Sequence, residues 1–168
     1  MMAAPETASL IRPLRADEVS LLEDFLYEAI WVPEDFEGEV PRSVIYDDPK
    51  CRASFECFGS LPDDRALVAE VDSRVVGACW VRTTEEYGHM DDETPSFAIS
   101  LLKPYRGRGI GTALMAQMLA ELADAGYARA SLSVQKANPA LRLYERLGFR
   151  IVGDGADDSE WLMVRDLQ

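Results

Sequence analysis

A short glycine-rich segment carries the clearest chemical signal in the sequence. It follows an apolar run that ends at Leu102, and it precedes a helical pattern that starts near Thr112. Its residues are Arg106, Gly107, Arg108, Gly109, Ile110 and Gly111. Because three of the six lack side chains, the backbone can approach an anion closely, and the N-terminus of the following helix adds unpaired N–H groups. The segment therefore predicts a phosphate-binding loop, to which the two arginines add positive charge.

The charge of the chain is unevenly distributed around this loop. The formal net charge is −13, yet Thr94 to Arg150 carry eight Lys or Arg against three acids, so this region is at +5 and the remainder at −18. A locally basic region on an acidic protein suits a compact anionic ligand, whereas the remainder would repel a nucleic acid. The acidic part is expected to attract cations.

Length and composition predict a single domain over residues 1–168. A chain of 168 residues with 48% hydrophobic content is large enough to bury a core. The first ten residues lack the pattern of a signal peptide, and no apolar run approaches the ~18 residues of a membrane span. We therefore expect a cytoplasmic protein without a membrane partner, for which a homodimer is the commonest oligomeric state. The three cysteines, Cys51, Cys57 and Cys79, fit no zinc pattern, so they are expected to be reduced, buried thiols without a metal.

The elements that must position the loop follow from hydrophobic periodicity and turn residues. The predicted strands are Ser9–Pro13, Ala66–Val71, Val75–Arg82, Ser96–Leu102, Ala130–Val134, Phe149–Val152 and Ser159–Asp166. The predicted helices are Asp17–Ile30, Pro49–Phe58, Thr112 to the stop at Gly126, and Asn138 to the stop at Gly148. Asp72 and Ser73 form the turn of a hairpin between the second and third strands. Hairpins combined with crossovers predict an α/β fold with a mixed sheet.

Two common phosphate-binding motifs do not fit. A P-loop would need Gly-Lys-Ser/Thr at the end of the loop, and Gly111 is followed directly by Thr112. A dinucleotide-binding loop would need a further glycine near Ala113 and an acid at the end of the next strand, which here reads Val134, Gln135, Lys136.

The loop instead resembles the Arg/Gln-x-x-Gly-x-Gly/Ala motif of the GNAT family of N-acetyltransferases. Arg106, Gly109 and Gly111 occupy its three defined positions. The sequence that follows is similar to the second signature of that family, which is an Asn followed by a segment ending in L-Y-x-x-L-G-F. Asn138 and Leu143–Phe149 match it. The resemblance is sharp from Ser96 to Phe149, and the order of elements is compatible along the entire chain.

The resemblance implies a mostly antiparallel mixed sheet, with about four flanking helices, in which strands four and five splay apart. Backbone groups of strand four would then pair with the pantetheine arm of acetyl-coenzyme A, as extended ligands pair with exposed strand edges. Ser100, Leu101 and Leu102 occupy those positions here. The pyrophosphate would rest on the amides from Arg106 to Thr112.

Two residues of the second signature acquire roles from the resemblance. Tyr144 matches a tyrosine that protonates the departing thiolate; a phenol with an ordinary pKa of about 10 is protonated at neutral pH and suits that role. The alternative for Tyr144 is an aromatic side chain packed in the core. Asn138 matches an asparagine that contacts the cofactor, and it is equally an ordinary helix N-cap.

The general base is less clearly marked. An acceptor amine must lose a proton before it attacks a thioester, so a carboxylate or a water held by one is expected near the sulfur. Ser96 and Ser133 stand where subgroups of the family carry a glutamate, and neither serine can act as a base alone. The nearest carboxylates lie in the loop before strand four, of which Glu93 is the predicted base; a solvated acidic loop is the alternative reading. The other carboxylates of that loop are Asp92, Asp91, Glu85 and Glu86.

Other residues have weaker claims on the site. His89 lies in the same loop and titrates near neutral pH if it is unperturbed, although lone loop histidines are usually surface residues. The aromatic residues of the long early segment either wall the acceptor pocket or cap the core; they are Trp31, Phe36 and Tyr46. The acids beside them would draw an ammonium inwards; they are Glu34, Asp35 and Glu37.

The sequence thus predicts an enzyme that transfers acetyl from acetyl-coenzyme A directly to an amine, either a small cationic amine or a lysine or peptide amine. Direct transfer needs no nucleophilic cysteine. The alternative is a non-catalytic acyl-coenzyme A sensor or interaction module that keeps the loop but lacks a base. Tyr144 favours the enzyme, since a binding module has no use for a proton donor at the thiol.

Overall fold

A seven-stranded sheet organises the protein, whose computed structural model describes residues 8–168. The strands are β1 (Leu10–Pro13), β2 (Arg65–Val71), β3 (Arg74–Arg82), β4 (Ser96–Leu101), β5 (Arg129–Gln135), β6 (Arg150–Asp154) and β7 (Glu160–Asp166). Their order in the sheet is β1-β2-β3-β4-β5-β7-β6, and all neighbours are antiparallel except β4 and β5. The predicted hairpin joins β2 to β3 through Asp72 and Ser73, which both adopt the positive φ of a tight primed turn.

The two parallel strands separate almost as soon as they meet. Ser96 of β4 pairs with Ser131 of β5, and this is the one registered pair between the two strands. Beyond Ser96 the strands diverge, so one edge of β4 lies open in the middle of the sheet. The predicted splayed, mostly antiparallel sheet is therefore confirmed.

Helices cover both faces of the sheet. They are α1 (Leu21–Ala29), α2 (Val44–Asp47), α3 (Pro49–Phe55), α4 (Ile110–Asp124) and α5 (Leu141–Arg146). The apolar stripe of α4 packs on one face through fully buried residues such as Leu114, Met118 and Leu122. α1 and α3 pack on the other face around Trp80, whose indole N–H donates to the Ser54 carbonyl at 2.9 Å.

The helices differ from the prediction mainly at their ends. The first predicted helix divides into a 3₁₀ turn (Ala16–Glu18) and α1, while α5 is shorter than predicted. α3 begins at Pro49 because the Asp48 side chain caps it by accepting from the Lys50 N–H at 2.9 Å. The short α2 was not predicted, so residues 8–168 contain five α-helices where about four were expected. Within residues 8–168, no helix has the length and apolar character needed to cross a membrane.

Candidate active site

A groove of about 1200 Å³ follows the open edge of β4. The glycine-rich loop and the first turn of α4 form one end, and α1 with the segment after it forms a side wall. Eight of the predicted ligand-binding residues line this groove: Ser100, Leu101, Arg106, Gly107, Gly109, Gly111, Thr112 and Asn138. The structure thus brings together residues that are up to 38 positions apart in the sequence.

The loop presents backbone N–H groups at the end of the groove. Gly107 and Gly109 have φ of 73° and 83°, which side chains disfavour, and this conformation turns the chain sharply into α4. The Ala113 N–H donates to the Gly109 carbonyl at 3.1 Å, so the amides of Ile110, Gly111 and Thr112 precede the first closed turn and lack helical acceptors. Free amides at the positive end of a helix dipole fit a diphosphate.

Basic side chains surround this end of the groove. Lys103, Arg106 and Arg146 line it. Arg106 Nε donates to the Leu101 carbonyl at 2.9 Å, and its Nη2 lies 3.5 Å from Glu28 Oε2, so this side chain ties the loop to β4 and α1. Three predicted residues, Leu102, Arg108 and Ile110, lie outside the groove lining. The Arg108 guanidinium stacks over Tyr105, and Ile110 is buried in the core.

The hydrogen bonds at the two ends of β4 show which backbone groups face the open edge. The Ser131 N–H donates to the Pro95 carbonyl at 3.0 Å, towards β5, whereas the Leu102 N–H donates to the Val76 carbonyl at 2.9 Å, towards β3. Because the backbone of a strand alternates, Ile99 and Leu101 direct their polar groups to the open edge. Ser100 and Leu102 direct theirs to β3. Of the three residues predicted to pair with an extended ligand, only Leu101 faces the open edge; Ile99, which the sequence analysis did not name, faces it as well.

A second, inner cavity of about 320 Å³ opens from the groove. It lies between the diverging ends of β4 and β5 and is closed by α1, α3 and the loop between β3 and β4. The residues that line both spaces are Ala29, Ile30, Trp31, Ile99, Asn138 and Tyr144. The groove and the inner cavity therefore meet at one junction, where Tyr144 contributes a hydroxyl.

Packing holds Tyr144 at the junction. Its half-buried ring meets Phe149 edge-on with centroids 6.3 Å apart, and Phe149 meets Phe97 in the same way at 5.9 Å. Burial raises the pKa of Tyr144 to about 12, with a smaller contribution from the nearby Cys79. The phenol is therefore fully protonated at neutral pH. Beside it, Asn138 Oδ1 accepts from the Ala140 N–H at 2.9 Å, so this residue caps the turn before α5 and also lines both spaces.

Glu86 is the buried carboxylate of the inner cavity. It lies in the loop between β3 and β4, it is 6% exposed, and the Ser96 hydroxyl donates to its Oε1. Burial raises the pKa of Glu86 to about 7, although hydrogen bonds from Ser96 and Ser54 and the charge of Arg82 act in the opposite direction. This carboxylate therefore changes protonation state near neutral pH.

Glu93, the base predicted from the sequence, lies elsewhere. It is exposed, its backbone N–H donates to Asp91 Oδ1 at 2.9 Å, and it lines neither the groove nor the inner cavity. Of the two serines noted in the sequence, Ser133 lines the inner cavity and Ser96 supports Glu86 from β4. The structure thus brings Glu86, not Glu93, to the inner cavity.

Gly88 allows the loop between β3 and β4 to place Glu86 in the inner cavity. Its φ is 86°, and a Cβ at this position would lie 2.9 Å from the backbone N of Ser133. The Ser131 hydroxyl donates to the Gly88 carbonyl at 2.7 Å. The loop therefore lies directly on the backbone of β5, which an added side chain would prevent.

The remaining predicted residues divide between the site and the surface. Trp31 lines both spaces and Phe36 lines the groove, whereas Tyr46 packs edge-on against Phe55. His89 and the acids predicted to attract an ammonium line neither space; those acids are Glu34, Asp35 and Glu37. Cys51 and Cys79 are buried as expected, but Cys57, which has a φ of 54° in the turn after α3, is exposed.

Comparisons with known proteins agree with this architecture. A profile of the acetyltransferase (GNAT) family matches residues 24–149. An uncharacterised N-acetyltransferase of Mycobacterium tuberculosis is 34% identical over 122 residues, which is 68% of this chain and 75% of the relative. The [ribosomal protein bS18]-alanine N-acetyltransferase of Haemophilus influenzae is 36% identical over 61 residues, or 36% of this chain and 42% of that protein.

A solved structure shows the same fold. The PaiA N-acetyltransferase from Thermoplasma acidophilum, crystallised in complex with coenzyme A, superposes with a TM-score of 0.66 at 18% identity, covering 95% of this chain and 99% of that one. The groove described above has the amides, positive charge and open strand edge that such a ligand requires. The chain therefore belongs to the acetyltransferase (GNAT) family and is an acetyltransferase that uses acetyl-coenzyme A as co-substrate.

Proposed function

We propose that this protein transfers acetyl from acetyl-coenzyme A in the groove directly to an amine in the inner cavity. The observation that carries the proposal is the junction, because Ile99, Asn138 and Tyr144 line both spaces. Two substrates that enter from opposite sides would meet there without a covalent enzyme intermediate.

Residues of the groove would hold the co-substrate. Ile99 and Leu101 would pair with the pantetheine arm through their outward backbone groups. The diphosphate would rest on the loop and on the first turn of α4, with positive charge from Arg106, Lys103 and Arg146.

Glu86 is the proposed general base, in place of Glu93. A carboxylate with a pKa of about 7 exists in both forms at neutral pH, so it can accept a proton from the incoming ammonium and release it to solvent afterwards. The neutral nitrogen then attacks the acetyl carbon and the carbon–sulfur bond breaks. Ser96 keeps the carboxylate oriented.

Tyr144 is the proposed general acid. Its hydroxyl donates a proton to the departing sulfur. The phenolate then takes up the proton that the nitrogen loses when the amide forms. Replacing Tyr144 with Phe keeps the ring packing and removes only the donor. We expect kcat to fall about 10- to 100-fold while the Kd for acetyl-coenzyme A changes less than about twofold. Steady-state kinetics and calorimetry measure the two, and an equal loss in both would contradict the acid role.

The cysteines support direct transfer. Cys51 is the thiol of the inner cavity, and burial raises its pKa to about 12, with a smaller effect of Asp48. At neutral pH this thiol is protonated and a poor nucleophile. Intact-protein mass spectrometry should therefore find no acetylated enzyme after incubation with acetyl-coenzyme A alone.

The position of Gly88 provides a test of how Glu86 is placed. Gly88→Ala should lower the free energy of unfolding by about 1–3 kcal/mol and reduce acetyl transfer, because the loop must leave β5. Affinity for acetyl-coenzyme A should be retained, since the groove does not include this loop. Gly126→Ala is the matched control, since φ is 92° there and a Cβ would meet no atom within 4 Å. Equal effects of the two variants on turnover would show that backbone strain alone explains the loss.

Amine acetylation itself separates an enzyme from a sensor. The protein is incubated with acetyl-coenzyme A and a panel of primary amines, and free thiol is followed over time. The proposal expects thiol release that depends on an amine and saturates with it. Saturable binding of acetyl-coenzyme A without thiol release from any amine would instead favour the non-catalytic sensor.

A further inference from the structure

The inner cavity has a strongly acidic lining. Four carboxylates, Asp48, Glu86, Asp157 and Glu160, line it against one cation, Lys50. The Lys50 ammonium lies 5.8 Å from the centre of the Tyr87 ring, and it forms no ion pair within the described part of the chain. A cavity with this balance of charge favours a ligand with more than one positive group.

The carboxylates occupy two separate environments. Glu86 interacts with Ser96 and Ser54 and is influenced by Arg82 and Asp64. Glu160, at the start of β7, is influenced by Asp157, Asp48 and Lys50 instead. Ser96 of β4 donates to Glu86 and Gln135 of β5 donates to Glu160, so the two carboxylates lie beside different strands and give the cavity two positions for a cation.

Glu160 has an unused hydrogen-bonding atom. It is 8% exposed, and its Oε1 accepts from Gln135 Nε2 at 3.3 Å. Its Oε2 is buried without a hydrogen-bond partner among residues 8–168. Burial raises the pKa of Glu160 and Asp157 adds to the effect, whereas the Ala156 backbone N–H and the Lys50 ammonium act in the opposite direction. A buried carboxylate oxygen without a hydrogen-bond donor destabilises a protein, so the position of this Oε2 in the wall of a cavity points to a donor that arrives with a ligand.

We infer that the acceptor is a small linear diamine or polyamine, whose reactive amine lies at Glu86 and whose second ammonium is bound by Glu160. This inference rests on the proposed function and specifies its substrate class. Glu160 would gain the donor that it lacks, and Asp48 and Asp157 would add attraction. The volume of about 320 Å³ suits a molecule of this size. Acceptors with a carboxylate would be repelled.

Two substrates of equal length test the second position. 1,4-Diaminobutane carries both ammonium groups, and 4-amino-1-butanol replaces one with a hydroxyl. A hydrogen bond between charged groups contributes about 1.5–3 kcal/mol, so kcat/KM should be about 10- to 100-fold higher for the diamine. In Glu160→Gln this preference should fall to a few fold, because kcat/KM for the diamine falls much more than kcat/KM for the amino alcohol.

A matched variant and a binding measurement complete the test. Glu85→Gln removes one charge from an exposed residue that lines neither space, and it should keep the diamine preference. Calorimetry of each substrate with the coenzyme A complex measures binding without chemistry. It should show tighter binding of the diamine, and Glu160→Gln should remove the difference.

The outcomes distinguish the inference from the proposed function. Equal kcat/KM for the two substrates would overturn the second ammonium position and leave acetyl transfer intact. An equal loss on both substrates in Glu160→Gln would also overturn it, because the residue would then only support the cavity. Preferential diamine binding without acetylation would support the ammonium position and overturn the proposed function. If the protein neither prefers the diamine nor acetylates an amine, both the inference and the proposed function would be overturned.

Discussion

Glu86→Gln should lose acetyl transfer and gain stability at the same time. The amide has the shape of the carboxylate but cannot accept a proton from the substrate, so kcat/KM should fall about 100- to 1000-fold at pH 7.5. For the unmodified protein, kcat/KM should rise with pH through about 7, the pKa of Glu86, and this inflection should be absent from the variant. Steady-state rates across pH measure both effects.

The stability gain follows from the pKa of the buried carboxylate. Its ordinary pKa is 4.5 and burial raises it to about 7 in the folded protein. Between these values the unfolded chain is ionised while the folded protein holds its proton, so stability falls as pH rises through this window. Above pH 7 the loss amounts to about 3 kcal/mol, which a neutral Gln avoids. Urea unfolding should find the variant more stable at pH 8 and equal to the unmodified protein at pH 4.

Glu93→Gln is the comparison that separates the two candidate bases. Its exposed carboxylate lines neither the groove nor the inner cavity, so activity should stay within about twofold and stability within about 0.5 kcal/mol. Loss of activity in Glu93→Gln together with retention in Glu86→Gln would return the base to the position predicted from the sequence.

Gly109→Asp should abolish useful affinity for acetyl-coenzyme A without unfolding the protein. Gly109 has φ of 83°, a conformation that Asp and Asn tolerate better than other residues, and a Cβ there meets no atom within 4 Å. An acid at the start of α4 also favours the helix dipole. A carboxylate a few ångströms from the diphosphate, however, opposes binding by about 3 kcal/mol, or roughly 100-fold in Kd.

Gly109→Asn isolates the charge in that experiment. It has the same shape and backbone preference, so calorimetry should find it several-fold weaker than the unmodified protein but much tighter than Gly109→Asp. The difference should shrink at high salt. Equal Kd values for the two variants would show that the loop does not contact the diphosphate.

The sequence identified the fold and the loop because both depend on local patterns. Arg106, Gly109 and Gly111 have a fixed spacing, and glycine is the residue that allows the close backbone approach and positive φ of such a loop. The apolar stripe of α4 and the turn at Asp72 and Ser73 are equally local.

The placement of Glu86, the proposed base, depends on contacts between distant segments. Glu86 reaches the inner cavity because Gly88 lies on the backbone of β5 and Ser96 receives the carboxylate from β4. Nothing in the order of residues 83–95 shows which of several acids turns inwards. Gly88 was the available signal, since a glycine inside an acidic loop suggests a close approach to other backbone.

The sequence alone also could not show which residues of β4 face its open edge. The resemblance indicated Ser100, Leu101 and Leu102, whereas the alternation set by Pro95 and Leu102 shows that the backbone polar groups of Ile99 and Leu101 face the groove. Glu160 was missed for a related reason. Its position in the sequence is that of an ordinary strand residue. Only the pairing of β7 with β5 shows that it lies beside Gln135.

A crystal structure with coenzyme A and 1,4-diaminobutane tests the central claim most directly, since the two ligands cannot react. We expect the diphosphate on the amides of residues 107–112, the sulfur beside the Tyr144 hydroxyl, and one ammonium at Glu86 in the inner cavity. Coenzyme A bound away from the groove, or an amine that reaches the sulfur without entering the inner cavity, would contradict the account.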